Sequence, residues 1–301
     1  MTMASIPLDT LNTAATADFV AALGDIFEHS PWVAEAVAAQ RPFASLAALH
    51  AAMREAVLSA AQEKQTALIK AHPDLAGKAA RSGTLSADST AEQASVGLDR
   101  LSDEEYAAFH RRNDAYQAKF GIPFIVCVRR HTKGSILREF ERRLGHDAAA
   151  ERATALEEIF RIAALRLDQR VEAGQRLKLD GRLSTHVLDT RAGRPAPGVT
   201  VELWELDSAG PGRLLVKAVT NQDGRTDQAL IGGRPVPIGV YELRFFIGDY
   251  FRAQGAGRGA ELAEPPFLDV VPLRFSVAEA EGHYHVPLVC TPWGYSTYRG
   301  S

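Results

Sequence analysis

A change of hydrophobic period near residue 172 constrains this chain more than any other feature. Up to about Val171 the apolar residues recur every three to four positions, as in Phe19, Leu23, Ile26 and Phe27, and again in Leu46, Leu49, Met53, Val57 and Ala60. That spacing gathers them on one face of amphipathic helices. Ser102 and Glu105 form a capping box ahead of Tyr106, Phe109, Tyr116 and Phe120, and Gly121 and Pro123 end that segment. Leu156, Ile159, Phe160, Ala163, Leu167 and Val171 predict one long closing helix. Beyond Gln175 short β-branched and aromatic runs take over (LSTHVLD, VTVELWEL, LLVKAV, VYELRFFI, FLDVVPLRFSV, HYHVPLVC), with turn-forming Gly-Arg-Pro, Asn-Gln-Asp-Gly and Pro-Ile-Gly between them. About seven or eight strands of an antiparallel sandwich are expected there, interrupted by a short helix in which Asp249 caps DYFRAQ before Gly255. The predicted organisation is an all-α, bundle-like domain over 1–172, a short polar linker over 173–178 and an antiparallel β-sandwich over 179–301.

Composition narrows the function classes. With 301 residues, 46% of them hydrophobic, the chain can bury two cores. A net charge of -3 and a pI near 6.3 give no general attraction for nucleic acid or acidic lipid, so small molecules are the expected ligands. No run approaches the roughly 18 apolar residues of a membrane span, the start lacks a basic segment followed by an apolar one, and the ending is not a peroxisomal address. The two cysteines, Cys127 and Cys290, sit in apolar runs (FIVCV, PLVCT) that read as buried strand or core, so no disulfide framework and a reducing, cytoplasmic setting are expected.

In the β half three segments carry polar residues that a sandwich core does not need: His186 in LSTHVLDTRAGRPA, Arg225 in TNQDGRT, and the terminal EGHYHVPLVCTPWGYSTYRGS. Strand alternation predicts His283, His285 and Pro287 on one face, opposite Tyr284, Val286 and Leu288. Taken one at a time, a strand histidine is usually solvated or hydrogen-bonded, and an Asp-Gly-Arg arginine is usually a turn residue. His283 and His285 have the spacing of a metal pair, but no Cys or carboxylate cluster accompanies them.

Together these segments resemble the 5-hydroxyisourate hydrolases, transthyretin-like enzymes of urate breakdown that end in Tyr-Arg-Gly-Ser, as Tyr298, Arg299, Gly300 and Ser301 do here. The resemblance spans about Leu179 to Ser301. It implies a cofactor-free, metal-free site of His186, Arg225, His285, Tyr298 and Ser301, facing a channel between subunits of a homotetramer. Transthyretin itself lacks this set. Cys290-Thr291-Pro292 departs from the family's apolar residue followed by Ser-Pro. Opening a ring at a carbonyl needs an activated water, a proton donor for the leaving nitrogen and donors for the oxyanion. One of the two histidines would activate water, Arg225 would hold the oxyanion or a ring carbonyl, and Tyr298 and Ser301 would orient substrate and water. Which histidine is the base stays open.

In the helical half His72 stands where Pro73 breaks a helix. Singly, Glu92 and Gln93 are solvated helix-start residues, Arg166 is a surface cation, and Arg129-Arg130 and Arg142-Arg143 read as solvated faces. His72-Pro73-Asp74-Leu75-Ala76-Gly77-Lys78, Ser89 to Gln93, Phe120 to Phe124 and Arg166 together resemble the 2-oxo-4-hydroxy-4-carboxy-5-ureidoimidazoline (OHCU) decarboxylases over roughly Pro7 to Val171. Ile122 stands where the family often has an aromatic residue. The resemblance implies catalytic His72 and Glu92, with Pro73, Ser89, Gln93, the Phe124, Ile125, Val126, Cys127 and Val128 backbone and Arg166 around the substrate. His72 would act as acid or base, Glu92 would orient His72 or the substrate, and Arg166 would anchor a carboxylate or carbonyl. The two families catalyse consecutive steps, which favours a bifunctional enzyme forming S-allantoin over its rivals: a transthyretin-like binding protein with a helical interaction module, or a chain with one degenerate domain.

Overall fold

The structure is a computed structural model, and it describes residues 5–76, 85–206, 212–255 and 263–300. The chain divides into two compact units, one of Met1–Arg129 with Ile136–Leu179 and one of Arg130–Ser135 with Asp180–Ser301.

The first unit is helical, and polar caps set its helix starts. The Ser45 hydroxyl accepts from the Ala48 amide ahead of helix Leu46–Leu58, Ser86 does the same for Ala87–Ser95, and Asp147 for the long helix Ala148–Arg170. Helix Asp103–Phe120 carries the full Ser102–Glu105 capping box and ends at Gly121 in the left-handed region, φ +66°. The Ile26 and Phe27 side chains reach the core as expected, but from a loop. Helix Thr16–Leu23 ends at its C-cap Gly24, whose amide makes the last helical bond, to the carbonyl of Val20 at 2.7 Å. FIVCV is core without being a strand: Phe124 to Cys127 run as buried irregular backbone before a 3-10 turn, Val128–Arg130. Strand Val171–Glu172 pairs in parallel with Ile6–Pro7. The polar segment that follows is tied back to the closing helix: Arg176 pairs with Asp168, and the Leu177 amide donates to Asp168 Oδ1 at 3.1 Å.

The second unit is a β-sandwich. One antiparallel sheet runs in the order Val270–Val277, Gly239–Phe246, Thr200–Leu206, Arg213–Val219. Opposite it, Gly181–Ser184 lies between His283–His285 and Ile231–Arg234, while Val187–Asp189 and Leu288–Thr291 continue the two chain segments into a further sheet. Leu183, Val187, Val201, Leu203, Tyr241, Leu243, Phe245 and Leu288 form the core between the layers. Most pairings are antiparallel, but His283–His285 runs parallel to Gly181–Ser184, and Leu288–Thr291 parallel to Val187–Asp189.

Two expectations need correction. The alternation does not extend to Pro287, which is buried beside buried Leu288. The strand ends at His285, and a proline brings no amide to a ladder. The short helix starts earlier than expected, spanning Ile247–Gly255, so Asp249 lies in its first turn, paired with Arg252, and not at its cap.

Candidate active sites

In the helical unit His72 follows helix Gln62–Lys70, with its amide on the carbonyl of Ile69 at 3.2 Å. Its ring is buried, and Nδ1 donates to the carbonyl of Leu68 at 3.0 Å, which leaves Nε2 as the unprotonated nitrogen. Burial pushes its pKa down to about 4, against the smaller upward pull of that hydrogen bond and of Glu28. His72 is therefore a neutral imidazole at physiological pH. One small cleft is lined by His72, Pro73 and Leu75, by Ser89, Glu92 and Gln93 from helix Ala87–Ser95, and by Phe124, Ile125, Val126, Val128, Ile162 and Arg166. Cys127 is turned away from that cleft: its amide donates to Glu158 Oε2 at 2.8 Å, on the closing helix. Gly77 and Lys78 lie outside the described residues.

Arg166 is not a surface cation. Nε and Nη2 grip the two oxygens of Glu92 at 2.9 Å each, and Nη1 donates to Glu28 Oε2 at 2.8 Å. The Ser89 hydroxyl donates to the same Glu28 oxygen at 3.1 Å. Burial opposes the guanidinium charge, yet its bonds to Glu92 and Glu28 more than offset this and raise the pKa. Burial likewise opposes ionisation of Glu28, but hydrogen bonds from Ser86 and Arg166 hold its carboxyl below the usual range. Sequence reasoning missed Glu28. The available signal was one acid directly after the apolar pair Ile26-Phe27. A larger cleft of about 820 Å³, which Arg166 also lines, carries cations that already have partners, Arg170 with Asp25 and Asp88 and Arg176 with Asp168. Of the two, only the smaller cleft is lined by an imidazole, that of His72.

Arg143 also departs from its expected place on a solvated face. It is 1% exposed, and its Nε donates to Glu151 Oε1 at 2.9 Å, where Tyr116 also donates its hydroxyl. His146 Nδ1 meets the other Glu151 oxygen at 2.8 Å.

In the β unit two chain segments break at the same level. The Val286 amide donates to Ser184 and the Leu288 amide to His186, at 3.0 and 2.8 Å, so His186 and His285, separated by 99 residues in sequence, become neighbours. Their rings stack at 4.8 Å between centroids, with His186 Nδ1 2.6 Å from His285 Nε2. Arg225 joins them because its backbone bridges to His186 at the end of the Asn221–Arg225 turn. Gly224 is required in that turn: φ is +70°, and an added Cβ would strike the carbonyl of Val187. Burial first depresses the pKa of both histidines, reinforced by His285 and then Arg225 at His186, and by Arg225 and then Arg182 at His285. The C-terminal tail folds over His285, where the Gly300 amide donates to its carbonyl at 2.8 Å. Tyr298 stands on that tail 56% exposed, with Arg299 over the Tyr284 ring, and Ser301 lies outside the described residues. His283 is exposed and apart from the pair.

These two constellations define a two-domain enzyme: a helical unit with a buried neutral imidazole beside a carboxylate–arginine cluster, and a transthyretin-like sandwich with a histidine pair under an arginine. The comparisons agree with this class. The OHCU decarboxylase family model matches residues 12–168 and the HIUase/Transthyretin family model matches 183–300. The chain belongs to both families, the first through its helical part and the second through its β part. It is 42% identical over 168 residues to 2-oxo-4-hydroxy-4-carboxy-5-ureidoimidazoline decarboxylase of Haloferax volcanii, covering 56% of this chain and 98% of that one. It is 53% identical over 123 residues to 5-hydroxyisourate hydrolase of Halalkalibacterium halodurans, covering 41% of this chain and all of that one. A crystal structure of (S)-allantoin synthase matches 98% of this chain and 100% of its own, at 34% identity and a TM-score of 0.52.

Proposed function

We propose that this chain is a bifunctional enzyme of urate breakdown: the β unit hydrolyses 5-hydroxyisourate to OHCU, and the helical unit decarboxylates OHCU to (S)-allantoin. The observation that carries this reading is the presence of a complete proton-handling cluster in each half, His186–His285–Arg225 in one and His72–Glu92–Arg166 in the other.

In the hydrolase step a base takes a proton from water as the oxygen attacks a ring carbonyl; the carbon–nitrogen bond then breaks and the nitrogen is protonated. His186 is the better placed base, because His285 uses both ring nitrogens on neighbouring side chains while His186 has Nε2 left over. Arg225 supplies positive charge for the oxyanion. Tyr298 and Ser301 orient substrate and water from the tail.

In the second step the bond to the carboxylate breaks, carbon dioxide leaves, and the electron pair spreads into the substrate's own imine or carbonyl. The substrate is its own electron sink, so the protein's work is orientation and proton delivery. His72 enters as a base at Nε2, takes the proton of the substrate's hydroxyl as that group becomes a carbonyl, and delivers it to one face of the ring carbon, while the ring nitrogen that received the electron pair picks up the proton that replaces carbon dioxide. Ser89, Gln93, Pro73 and the backbone of Phe124, Ile125, Val126 and Val128 orient the substrate. Arg166, whose fork is taken up by Glu92 and Glu28, holds Glu92 in register.

We further read 1–172 and 179–301 as the two catalytic domains with 173–178 joining them, the sandwich as the tetramer-forming part, and the cytoplasm as the compartment. Exposed Trp293, Tyr295 and Tyr298 support the assembly, and two buried free cysteines support the compartment. Freshly generated 5-hydroxyisourate followed by ultraviolet absorbance and circular dichroism is the test. Two resolved phases ending in optically active allantoin are expected, and unchanged spontaneous decay refutes the reading. His72→Ala should abolish the second phase alone.

A further inference from the structure

The hydrogen bonds around His285 form a chain with a single sense of direction. Ser184 Oγ lies 2.9 Å from His285 Nδ1, and His285 Nε2 lies 2.6 Å from His186 Nδ1. A neutral imidazole carries one N–H and one bare nitrogen, so fixing the proton on any link fixes it on all. If the Ser184 hydroxyl donates to His285 Nδ1, then His285 must donate from Nε2, His186 must accept at Nδ1, and His186 Nε2 carries a hydrogen. No ring nitrogen of the pair is then free to take a proton from water. If Ser184 accepts from His285 Nδ1–H, the direction reverses. His285 Nε2 accepts from His186 Nδ1–H, and His186 Nε2 is bare.

From this geometry, and resting on the hydrolase reading above, we infer that Ser184 is a positioning residue: its hydroxyl accepts from His285 and so holds the basic nitrogen of the pair on His186. The inference needs both rings neutral, since an added proton would remove the choice of direction. Burial and the nearby guanidinium groups of Arg225 and Arg182 favour that state at His285, and burial, His285 and Arg225 favour it at His186. Once water gives its proton to His186 Nε2, the Nδ1 proton of His186 can pass to His285 Nε2. The cationic charge then moves away from the reacting centre, toward the serine. Ser184 is suited to this because its strand pairs through the backbone with His283–His285, which fixes the hydroxyl opposite the ring without using its side chain. Replacing that side chain therefore leaves the ladder in place.

The test uses the full chain labelled with ¹⁵N-histidine, in which the nine histidines are assigned by single replacements. Imidazole nitrogen shifts distinguish protonated from bare ring positions. The wild type should show protonated Nδ1 and bare Nε2 on both His186 and His285. Ser184→Ala should mix the tautomers on both rings and lower kcat for hydrolysis by about 3- to 10-fold, with KM little changed. Ser184→Thr, which keeps the hydroxyl, should restore both. A wild-type His285 with bare Nδ1, or an unchanged tautomer pattern in Ser184→Ala, would overturn the inference. A wild type with the expected tautomers but no hydrolysis would instead count against the hydrolase reading and leave the role of Ser184 in fixing the tautomer intact.

Discussion

Arg143 Nη1 donates to the carbonyl of Ile125 at 2.6 Å, tying a fully buried cation to the backbone that walls the helical cleft. The same guanidinium lies over the Phe124 ring at 4.4 Å and is balanced by Glu151. Irregular backbone in a core must find partners for its polar groups. Here Arg143 serves Ile125 from one side, and Glu158 serves Cys127 from the other.

Arg143→Met should therefore act twice. It leaves the buried Glu151 with only His146 and the Tyr116 hydroxyl as partners, which costs on the order of 3 kcal/mol. It also frees the cleft wall, and misplacement there should lower decarboxylation on the order of 10- to 100-fold. Urea unfolding followed through the helical signal, together with separate assays of the two steps, measures both effects. Equal losses in the two activities would show general unfolding in place of a positioning effect.

His72 predicts a stability that depends on pH. Its pKa is about 4 in the folded chain and about 6.5 when unfolded, so below pH 6.5 the unfolded chain binds the extra proton first. The stability contributed by the neutral ring is complete above pH 6.5 and is lost progressively as pH falls toward 4. His72→Asn should flatten that part of the unfolding profile. Decarboxylation by the free enzyme should decline over the acid end of the same window, because protonated Nε2 can no longer act as a base. An unfolding profile identical to that of the wild type between pH 4 and 6.5 would contradict the buried neutral ring.

Gly300→Ala should separate the two activities. A Cβ at Gly300 would sit 2.8 Å from Cδ2 of His285, closer than carbon atoms pack, so either the tail or the ring must shift. Hydrolysis should fall on the order of 10-fold or more, while decarboxylation of supplied OHCU and the melting of the helical unit stay unchanged. Retained hydrolysis would show that the tail need not touch His285.

Much of this architecture was legible because its signals are local. The Ser102–Glu105 box, the Gly121 stop and the closing stripe from Leu156 to Leu167 each lie within a few turns of chain, and each appears where its spacing puts it. What was not legible depends on contacts between distant segments. Arg142 and Arg143 look alike in sequence, but successive helix residues point about 100° apart, so Arg142 is exposed on Glu139 while Arg143 is buried on Glu151. Glu28 acquires meaning only through Arg166, 138 residues later. The hydrogen bond between His186 and His285 follows from a parallel pairing that no alternation pattern encodes.

The Glu28–Arg166–Glu92 cluster supplies the last prediction. A guanidinium can span both oxygens of Glu92 and still reach Glu28, whereas a lysine ammonium is a single point charge. Arg166→Lys should leave one carboxylate short of donors in a buried setting, with a cost of about 3 kcal/mol. If Arg166 orients Glu92, the variant should bind OHCU nearly normally but turn it over at least about 10-fold more slowly, and the allantoin formed should lose optical activity as uncatalysed protonation competes. If Arg166 instead grips the substrate carboxylate directly, KM should rise while kcat and enantiomeric excess hold. Circular dichroism of the product at saturating substrate separates the two, because with only one anchor weakened the remaining residues of the cleft still present the same face of the bound carbon to His72.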